Sequence, residues 1–180
     1  MTGPDSGAVA AAQQVVAELA AGRQHVAVAE SLTGGLLAAA LASVPGASVV
    51  FRGGIVAYAT DLKASLLGVD QAVLDTCGAV SAETARAMAE GVRARLGATF
   101  GLATTGVAGP DPAEGKPVGT VYIAATRGDS GPAARQTGQR DGQQPQVRRL
   151  DLAGSRNDIR GQTVTEALAL LLVMMREETR

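Results

Sequence analysis

The 180-residue sequence has no tryptophan, one cysteine and one histidine, and aromatic residues make up only 2% of it. The lone Cys77 excludes an internal disulfide and a multi-cysteine zinc site, which is typical of proteins in a reducing compartment. The lone His25 excludes a multi-histidine metal centre and limits histidine-based catalysis to one side chain. Because aromatic residues are so scarce, the core is expected to be packed from Ala, Val, Leu and Ile.

The sequence also has little net charge and no long apolar run. The formal net charge of −1 at pH 7 gives no bulk attraction to nucleic acid or to an anionic membrane. No run of about 18 apolar residues is present, and the first residues lack the basic start and apolar stretch of a signal peptide. We therefore expect a cytoplasmic protein with no membrane partner and no direct nucleic-acid partner. A chain of this length fits one domain, so residues 1–180 are expected to form a single domain.

Predicted helices and strands alternate along most of the chain. The predicted helices cover residues 8–21, 33–43 and 82–96, together with a last helix from about Asn157. A further short helix is predicted to begin at Asp61 as its cap and to end at Gly68. The predicted strands are His25–Ala29, Val49–Tyr58, Leu102–Thr104, Thr120–Ala125 and Val147–Leu152. This alternation favours a three-layer α/β domain with a largely parallel sheet. Val49–Tyr58, interrupted at Gly53-Gly54, and Thr120–Leu152 look like hairpin-type elements, and residues 127–146 predict a mobile loop or a hairpin.

The first polar segment that could carry chemistry, residues 29–35, follows a predicted strand and opens a predicted helix. Free main-chain N–H groups and the helix dipole at such a point can hold an anion or stabilise an oxyanion. Ser31 lies where a nucleophile would benefit from those donors, and Gly34 and Gly35 allow a ligand to approach the backbone closely. The alternative is that Ser31 or Thr33 only caps the helix.

A serine nucleophile needs a base. The segment from Tyr58 to Lys63 supplies two candidates for it, Lys63 and Tyr58. His25 is a poor candidate because it begins the predicted strand whose far end carries Ser31. A lysine can serve as a base where burial or nearby positive charge lowers its pKa. The alternative is that Lys63 is a solvated helix residue and that Tyr58 belongs to the core.

A third segment, residues 104–120, is rich in Gly, Pro and hydroxyl side chains and also follows a predicted strand. Small residues and hydroxyls at that edge of a sheet can line a phosphate or ribose site, although an ordinary Gly/Pro loop has the same composition. Arg156 and Arg160 begin the last predicted helix and can bind phosphate or carboxylate in a bidentate manner, or can be solvated surface residues. Cys77 has no histidine partner in the local sequence and is interpreted as structural.

Taken together, these segments resemble the CinA C-terminal domain family, the nicotinamide-nucleotide amidohydrolases. The resemblance extends from about Val26 to Arg160 and consists of several motifs in the family's order. The motifs include Ala-Glu-Ser-x-Thr-Gly-Gly at 29–35, Val-Pro-Gly-Ala-Ser at 44–48, Gly-Ala-Val-Ser at 78–81, Thr-Gly-Val-Ala-Gly-Pro-Asp at 105–111, Lys-Pro-Val-Gly-Thr-Val at 116–121 and Gly-Ser-Arg at 154–156.

The resemblance implies a three-layer α/β/α sandwich with a mixed, mostly parallel sheet. It also implies hydrolysis of the amide of nicotinamide mononucleotide to nicotinate mononucleotide and ammonia, without a metal or an organic cofactor. Ser31 would be the nucleophile and Lys63 its base, while Tyr58 would orient the base or relay the proton. N–H groups near Thr33 and Gly34 would form the oxyanion hole. The substrate-binding residues that the resemblance implies are Glu30, Thr33, Gly34, Gly35, Thr105, Gly106, Ala108, Gly109 and Arg156.

Two other functions fit the same residues. One is a catalytically weakened nucleotide-binding or protein-interaction module, linked to competence or to the DNA damage response. The other is a deamidase for a different amide. Small α/β enzymes of this kind often self-associate, so a homo-oligomer, dimer or higher, is expected. In many relatives this domain follows a larger N-terminal domain, which is expected to be absent because only about 25 residues precede the first predicted strand.

Three places depart from the residues usual in the family. Leu32 stands where Cys is usual, Ala59-Thr60-Asp61 replaces a Ser-Asn pair after the tyrosine, and Pro112 stands where Gly is common. Because Ser31 and not its neighbour would carry out the chemistry, Leu32 is expected to be tolerated.

Overall fold

The structure, a computed structural model, describes residues 6–128 and 144–177. Most of the loop or hairpin predicted at 127–146 lies outside the described residues. Within the two described stretches, no helix is both long enough and apolar enough to cross a bilayer.

The described chain forms five strands and six helices, together with one 3-10 turn at Ala47–Val49. The strands are β1 (Val26–Glu30), β2 (Phe51–Val56), β3 (Phe100–Gly106), β4 (Thr120–Arg127) and β5 (Gln146–Asp151). The helices are α1 (Ser6–Gly22), α2 (Leu36–Ala42), α3 (Thr60–Leu67), α4 (Gln71–Cys77), α5 (Ala82–Leu96) and α6 (Arg156–Glu177).

All five strands belong to one mixed sheet in the order β2-β1-β3-β4-β5. β1 is parallel to β2 on one side and to β3 on the other, whereas β4 is antiparallel to both β3 and β5. Glu30, the last residue of β1, pairs with Val56 of β2 and Thr104 of β3. The carboxyl ends of these three strands therefore meet at one edge of the sheet, which is where ligands bind in open α/β sheets.

Helices cover both faces of the sheet, which confirms the predicted three-layer α/β/α sandwich. α1, α2 and α6 pack on one face and α3, α4 and α5 on the other. Along β1 the valines contribute to the first of these cores, whereas Ala27 and Ala29 contribute to the second. Both cores consist mainly of Ala, Val and Leu, as the scarcity of aromatic residues predicts. Small side chains on the second face allow α5 to lie close to the sheet.

Strand β2 differs from its prediction as a hairpin-type element. It is a single strand that passes through Gly53 and Gly54 and pairs in parallel with β1. A Cβ built on Gly54 would lie 2.9 Å from a methyl group of Val28 and 3.2 Å from Cβ of Ala38. The glycine pair therefore leaves room for the neighbouring strand and for α2, and it does not turn the chain.

The segment between β2 and α5 also differs from its prediction. α3 begins at Thr60 with Ala59 as its N-cap, so Asp61 lies in the first turn of the helix and does not cap it. α4 is missing from the sequence-based prediction because its single short stretch has too few turns to show a helical period. Its start is marked by Asp70, whose carboxylate accepts the N–H of Ala72.

Gly91 sets the separation between α5 and α3, the helix that carries Lys63. A Cβ built on Gly91 would lie only 1.9 Å from the carbonyl oxygen of Leu67, the last residue of α3. No side chain fits at that distance, so the glycine allows the backbones of the two helices to touch.

Gly91→Ala is therefore expected to lower the free energy of unfolding by about 1–3 kcal/mol, because the added methyl group forces α3 and α5 apart. Gly161→Ala in α6 is the matched control, since a Cβ there would meet nothing within 4 Å. It is expected to be neutral or to stabilise the protein by up to about 1 kcal/mol. Urea unfolding of both variants measures the difference, and equal stabilities would contradict the close contact.

Candidate active site

Ser31 and Lys63 are in contact at the carboxyl edge of the sheet, where Nζ of Lys63 lies 3.1 Å from Oγ of Ser31. Ser31 directly follows β1, and Lys63 lies on the first turn of α3. Both are buried, with Lys63 only 1% exposed, so the alternative of a solvated lysine is wrong. Ser31 and Thr33 do not cap α2 either, because its N-cap is Gly35 and no side chain caps the helix from that position.

The amine of Lys63 is surrounded by oxygen atoms. It donates to the carbonyl of Ala57 at 2.8 Å and to that of Tyr58 at 3.4 Å. Burial lowers the pKa of Lys63 below its ordinary value of 10.5, while the carboxylates of Glu114 and Asp61 act in the opposite direction. A neutral amine has two N–H donors and one lone pair. When both N–H groups of the neutral Lys63 amine donate to the carbonyls of Ala57 and Tyr58, its lone pair is left to accept the hydroxyl proton of Ser31.

Glu30 lies beside Ser31 but faces into the protein. Its side chain is fully buried, and its carboxylate accepts the N–H groups of Gly35 at 2.9 Å, Leu37 at 3.1 Å and Ala38 at 2.8 Å. These donors are unpaired at the start of any helix, and a negative charge there also matches the helix dipole. The structure therefore places Glu30 as the group that anchors α2, in place of the substrate contact expected from the sequence.

The turn from Ser31 to Gly35 determines which N–H groups remain for a ligand. Gly34 and Gly35 have φ values of +58° and +99°, and the N–H of Gly34 donates to the carbonyl of Ser31 at 3.1 Å. The N–H groups of Leu32 and Thr33 make no hydrogen bond to any residue that the structure describes. Of the two N–H groups expected for the oxyanion hole, that of Thr33 is therefore unused by the described residues, whereas that of Gly34 is taken by the Ser31 carbonyl.

Arg160 holds the same turn from the side of α6. Its Nε donates to the carbonyl of Leu32 at 3.1 Å and its Nη2 to that of Thr33 at 2.8 Å. In a trans peptide the C=O and the N–H point in opposite directions. By fixing the Leu32 carbonyl, Arg160 therefore also fixes the direction of the Thr33 N–H. The sequence indicated Arg160 as an anion binder or a solvated surface residue, because a contact to a carbonyl group 128 residues away leaves no local pattern.

Tyr58 and Arg156 meet at the exposed mouth of the site. Tyr58 is 56% exposed, so it is not a core residue. Its hydroxyl accepts a hydrogen bond from Nη2 of Arg156 at 2.7 Å, and Nη1 of Arg156 donates to the carbonyl of Gly109. The Tyr58 hydroxyl thus bonds to Arg156, and Tyr58 contacts Lys63 through its carbonyl group. Arg156 joins the loops that follow β2 and β3.

The predicted wall residues at the end of β3 and directly after it are tied to the protein around them. Thr105 Oγ1 donates to the carbonyl of Ala79 at 2.7 Å, and Ala108 packs into the core on the α6 side of the sheet. A Cβ on Gly106 would lie 2.8 Å from the carbonyl oxygen of Thr120, so glycine is needed for close pairing with β4. Any ligand at this wall would mainly meet backbone atoms.

The three departures from the usual family residues lie in different parts of the structure. Leu32 is 3% exposed and packs in the hydrophobic core on the α2 side, which explains how an apolar residue fits beside Ser31. Asp61 is exposed, and its charge acts on the pKa of Lys63. Pro112 is exposed in the loop after β3.

The combined arrangement is a hydroxyl next to a buried amine, with main-chain N–H donors directly after the hydroxyl. This is the set of groups that acyl transfer requires: a nucleophile, a base and donors for a developing oxyanion. In the described part of the chain, no group of three or more His, Cys, Asp or Glu side chains could hold a metal ion.

Known proteins resemble this chain in sequence and in fold. It matches the family model of the CinA C-terminal domain over residues 8–175. It is 56% identical to a CinA-like protein of Frankia casuarinae over 150 residues, which are 83% of this chain and 31% of that protein. It is 48% identical to a CinA-like protein of Mycobacterium avium over 158 residues, which are 87% of this chain and 34% of that protein. The chain thus spans about a third of the length of these curated relatives.

A solved structure agrees with this match. The crystal structure of the competence/damage inducible protein CihA from Agrobacterium tumefaciens is 34% identical, with a TM-score of 0.85, and the match covers 97% of this chain and 99% of that one.

The lowered pKa of Lys63 predicts how stability depends on pH. Between the lowered pKa and 10.5, the unfolded chain binds the proton that the folded protein lacks, so the free energy of unfolding should rise with pH in that window. Lys63→Met should remove this rise, which amounts to about 1.4 kcal/mol for each unit by which the pKa is lowered. Urea unfolding between about pH 7 and pH 10 tests it, and parallel curves for the two proteins would contradict a lowered pKa.

Proposed function

The chain belongs to the CinA C-terminal domain family, and from that premise we propose that it hydrolyses the amide of nicotinamide mononucleotide to nicotinate mononucleotide and ammonia. The substrate comes from the resemblance of the sequence motifs to the nicotinamide-nucleotide amidohydrolases. The observation that carries the proposed chemistry is the contact of 3.1 Å between Lys63 Nζ and Ser31 Oγ, made where both side chains are buried.

In the first half of the reaction, Ser31 is acylated. Its Oγ attacks the carboxamide carbon while its proton passes to the lone pair of Lys63, which gives a tetrahedral intermediate with a negative oxygen. The C–N bond then breaks, and the Lys63 ammonium returns the proton to the departing nitrogen, which leaves as ammonia. An acyl-enzyme remains, and one difficult hydrolysis is divided into two easier steps.

In the second half, water replaces ammonia. Lys63, again neutral, takes a proton from water as its oxygen attacks the ester carbon. The bond to Ser31 Oγ breaks, the serine regains its proton from Lys63, and nicotinate mononucleotide is released. One amine thus serves twice as base and twice as acid, which requires a pKa closer to neutrality than that of an exposed lysine.

The N–H groups of Leu32 and Thr33 are the proposed oxyanion donors. They directly follow the nucleophile and have no acceptor among the described residues. Donors held in place before the reaction need no reorganisation when charge develops on the carbonyl oxygen. Glu30 and Arg160 hold the turn from its two sides and supply this rigidity.

Arg156 is the proposed contact for the substrate phosphate. It lies at the exposed mouth between the loops after β2 and β3, and its planar guanidinium can donate two parallel hydrogen bonds to phosphate oxygens. The backbone of Thr105, Gly106 and Gly109 would form the neighbouring wall. A nucleotide would then place its charged end in water and its amide at Ser31.

Ser31→Ala should lower kcat/KM for nicotinamide mononucleotide by at least about 10³-fold, because the acyl-enzyme cannot form. Lys63→Arg should lower it by about 10²–10⁴-fold, since a guanidinium keeps the charge but offers no lone pair. Ser65→Ala is the matched control: this hydroxyl is exposed on the same helix and bonds only the Asp61 carbonyl, so activity should not change. Ammonia release measures all three variants.

The same assay separates the other candidate functions. Nicotinamide and its riboside should react poorly in comparison with the mononucleotide, because they lack the phosphate. A preference for a phosphate-free amide would contradict the role of Arg156. Tight binding of the mononucleotide without turnover by the wild-type protein would instead identify a nucleotide-binding module.

Arg160→Lys should lower kcat by roughly 10–100-fold and change KM little, because a lysine lacks the planar fork that holds the two carbonyls in fixed directions, so the Thr33 N–H loses its fixed direction. Arg176→Lys near the end of α6 is the control, since among the described residues that arginine pairs only with Glu18, on the surface. A raised KM with an unchanged kcat would show that Arg160 binds substrate and does not orient the turn.

A further inference from the structure

The loop after β3 contains a tight turn with an unusual residue at its tip. Ala113 and Lys116 exchange main-chain hydrogen bonds of 3.2 and 2.9 Å, and Glu114 and Gly115 between them have φ values of +52° and +69°. Two positive φ values in a two-residue turn are those of type I′, which favours Asn and Gly. A glutamate in this left-handed region is uncommon, so its presence calls for an interaction of its side chain.

The side chain of Glu114 does make such an interaction. Its Oε1 accepts the N–H of Ala79 at 3.2 Å and its Oε2 accepts the N–H of Val80 at 3.1 Å. A Cβ built on Gly78 would lie 2.6 Å from Oε2, so the glycine leaves room for the carboxylate. The tip of the turn is therefore docked on residues 78–80, between α4 and α5.

A second contact attaches the beginning of the loop to the same place. Thr105 Oγ1, near the end of β3, donates to the carbonyl of Ala79 at 2.7 Å. Residues 107–119 leave the sheet next to this contact and reach the same segment again through Glu114. The proposed nucleotide wall is thus held at its base by a hydroxyl and at its tip by a carboxylate.

Glu114 also acts on Lys63 through its charge. Besides Asp61 on the helix of Lys63 and Glu114 on the loop, the surrounding elements carry the charged residues Glu30 at the end of β1, Glu83, Arg86, Glu90, Arg93 and Arg95 on α5, Arg156 and Arg160 at the start of α6, and Lys116 on the loop. Of the described groups, Glu114 and then Asp61 raise the pKa of Lys63 against the larger effect of burial. A loop that moved away with Glu114 would therefore leave Lys63 a weaker base that loses its proton at lower pH.

We propose that Glu114 is a positioning residue, whose carboxylate docks the loop 107–119 on residues 78–80 and keeps a negative charge within electrostatic reach of the Lys63 amine. As a role in catalysis this rests on the proposed amidase function. Docking of the nucleotide wall and protonation of the base are then coupled through one side chain.

The composition of the chain permits a direct test, because Lys63 and Lys116 are its only lysines. Lys116→Arg leaves Lys63 as the sole lysine, and labelling with ¹³C- and ¹⁵N-lysine then gives one side-chain signal to titrate by NMR. In this background we would compare Glu114 with Glu114→Gln, which removes the charge, and Glu114→Asp, which keeps the charge on a shorter side chain. Glu90→Gln, at an exposed position of α5, is the control for net charge.

Glu114→Gln should lower the titration midpoint of Lys63 by roughly half a pH unit, because a nearby negative charge is lost. Glu114→Asp keeps the charge but holds the loop less well, so it should lower the midpoint by less, and Glu90→Gln should leave the midpoint nearly unchanged. Hydrogen exchange at the amides of Ala79 and Val80 should accelerate in both Glu114 variants and not in Glu90→Gln. An unchanged midpoint in Glu114→Gln, an equal shift in Glu90→Gln, or unchanged exchange in both Glu114 variants would overturn the proposal.

Kinetics with nicotinamide mononucleotide add the catalytic readout. Both Glu114 variants should raise KM by roughly tenfold, since the charge-assisted hydrogen bonds that hold the wall are lost or misaligned. Glu114→Gln should also move the acid limb of kcat/KM to lower pH, and Glu114→Asp should move it by less. A KM unchanged in both variants, or an acid limb that does not move, would overturn the catalytic role. If the wild-type protein releases no ammonia, the amidase proposal fails, while the lysine titration and the amide exchange still decide the position of Glu114.

Discussion

The buried contact between Lys63 and Ser31 is the constraint on which the site depends. A lysine amine out of water is stable only when its hydrogen-bonding groups have partners or when it loses its charge. Here the partners are the Ser31 hydroxyl after β1 and two carbonyl groups after β2. The contact therefore requires the register of β1 and β2, the short start of α3 and the backbone contact at Gly91 that supports the end of this helix.

The turn that carries Ser31 is held by two charged side chains that bind main-chain groups. Glu30 takes the N–H groups at the start of α2, and Arg160 takes the carbonyls of Leu32 and Thr33. Glu30 uses donors at the end of the turn and at the start of α2, whereas Arg160 uses acceptors in the turn itself, so the two groups fix different peptides of the same segment. The N–H groups left over are those of Leu32 and Thr33, directly after Ser31, where the proposed reaction would develop an oxyanion.

Loops from three adjacent strands form the rest of the site, and long-range polar contacts join them. Arg156 connects the loop after β2 with the loop after β3, and Glu114 connects the latter with the start of α5. The loops around Ser31 and Lys63 are thereby parts of one network of polar contacts. The family membership of the chain and this network agree with each other, although they derive from different observations.

The sequence by itself determined the layered fold, because the alternation of apolar strands and helices and the stops at Gly68 and Gly97 are local signals. It also brought Ser31 and Lys63 forward as candidates, since each lies at a strand end or just beyond one. Only the tertiary structure decided what the polar groups do. Glu30 anchors a helix, the Tyr58 hydroxyl pairs with Arg156, and Arg160 and Glu114 orient backbone groups far away in the chain. These roles depend on partners separated by up to 128 residues, and a carboxylate or guanidinium has the same local pattern whether it binds substrate or backbone.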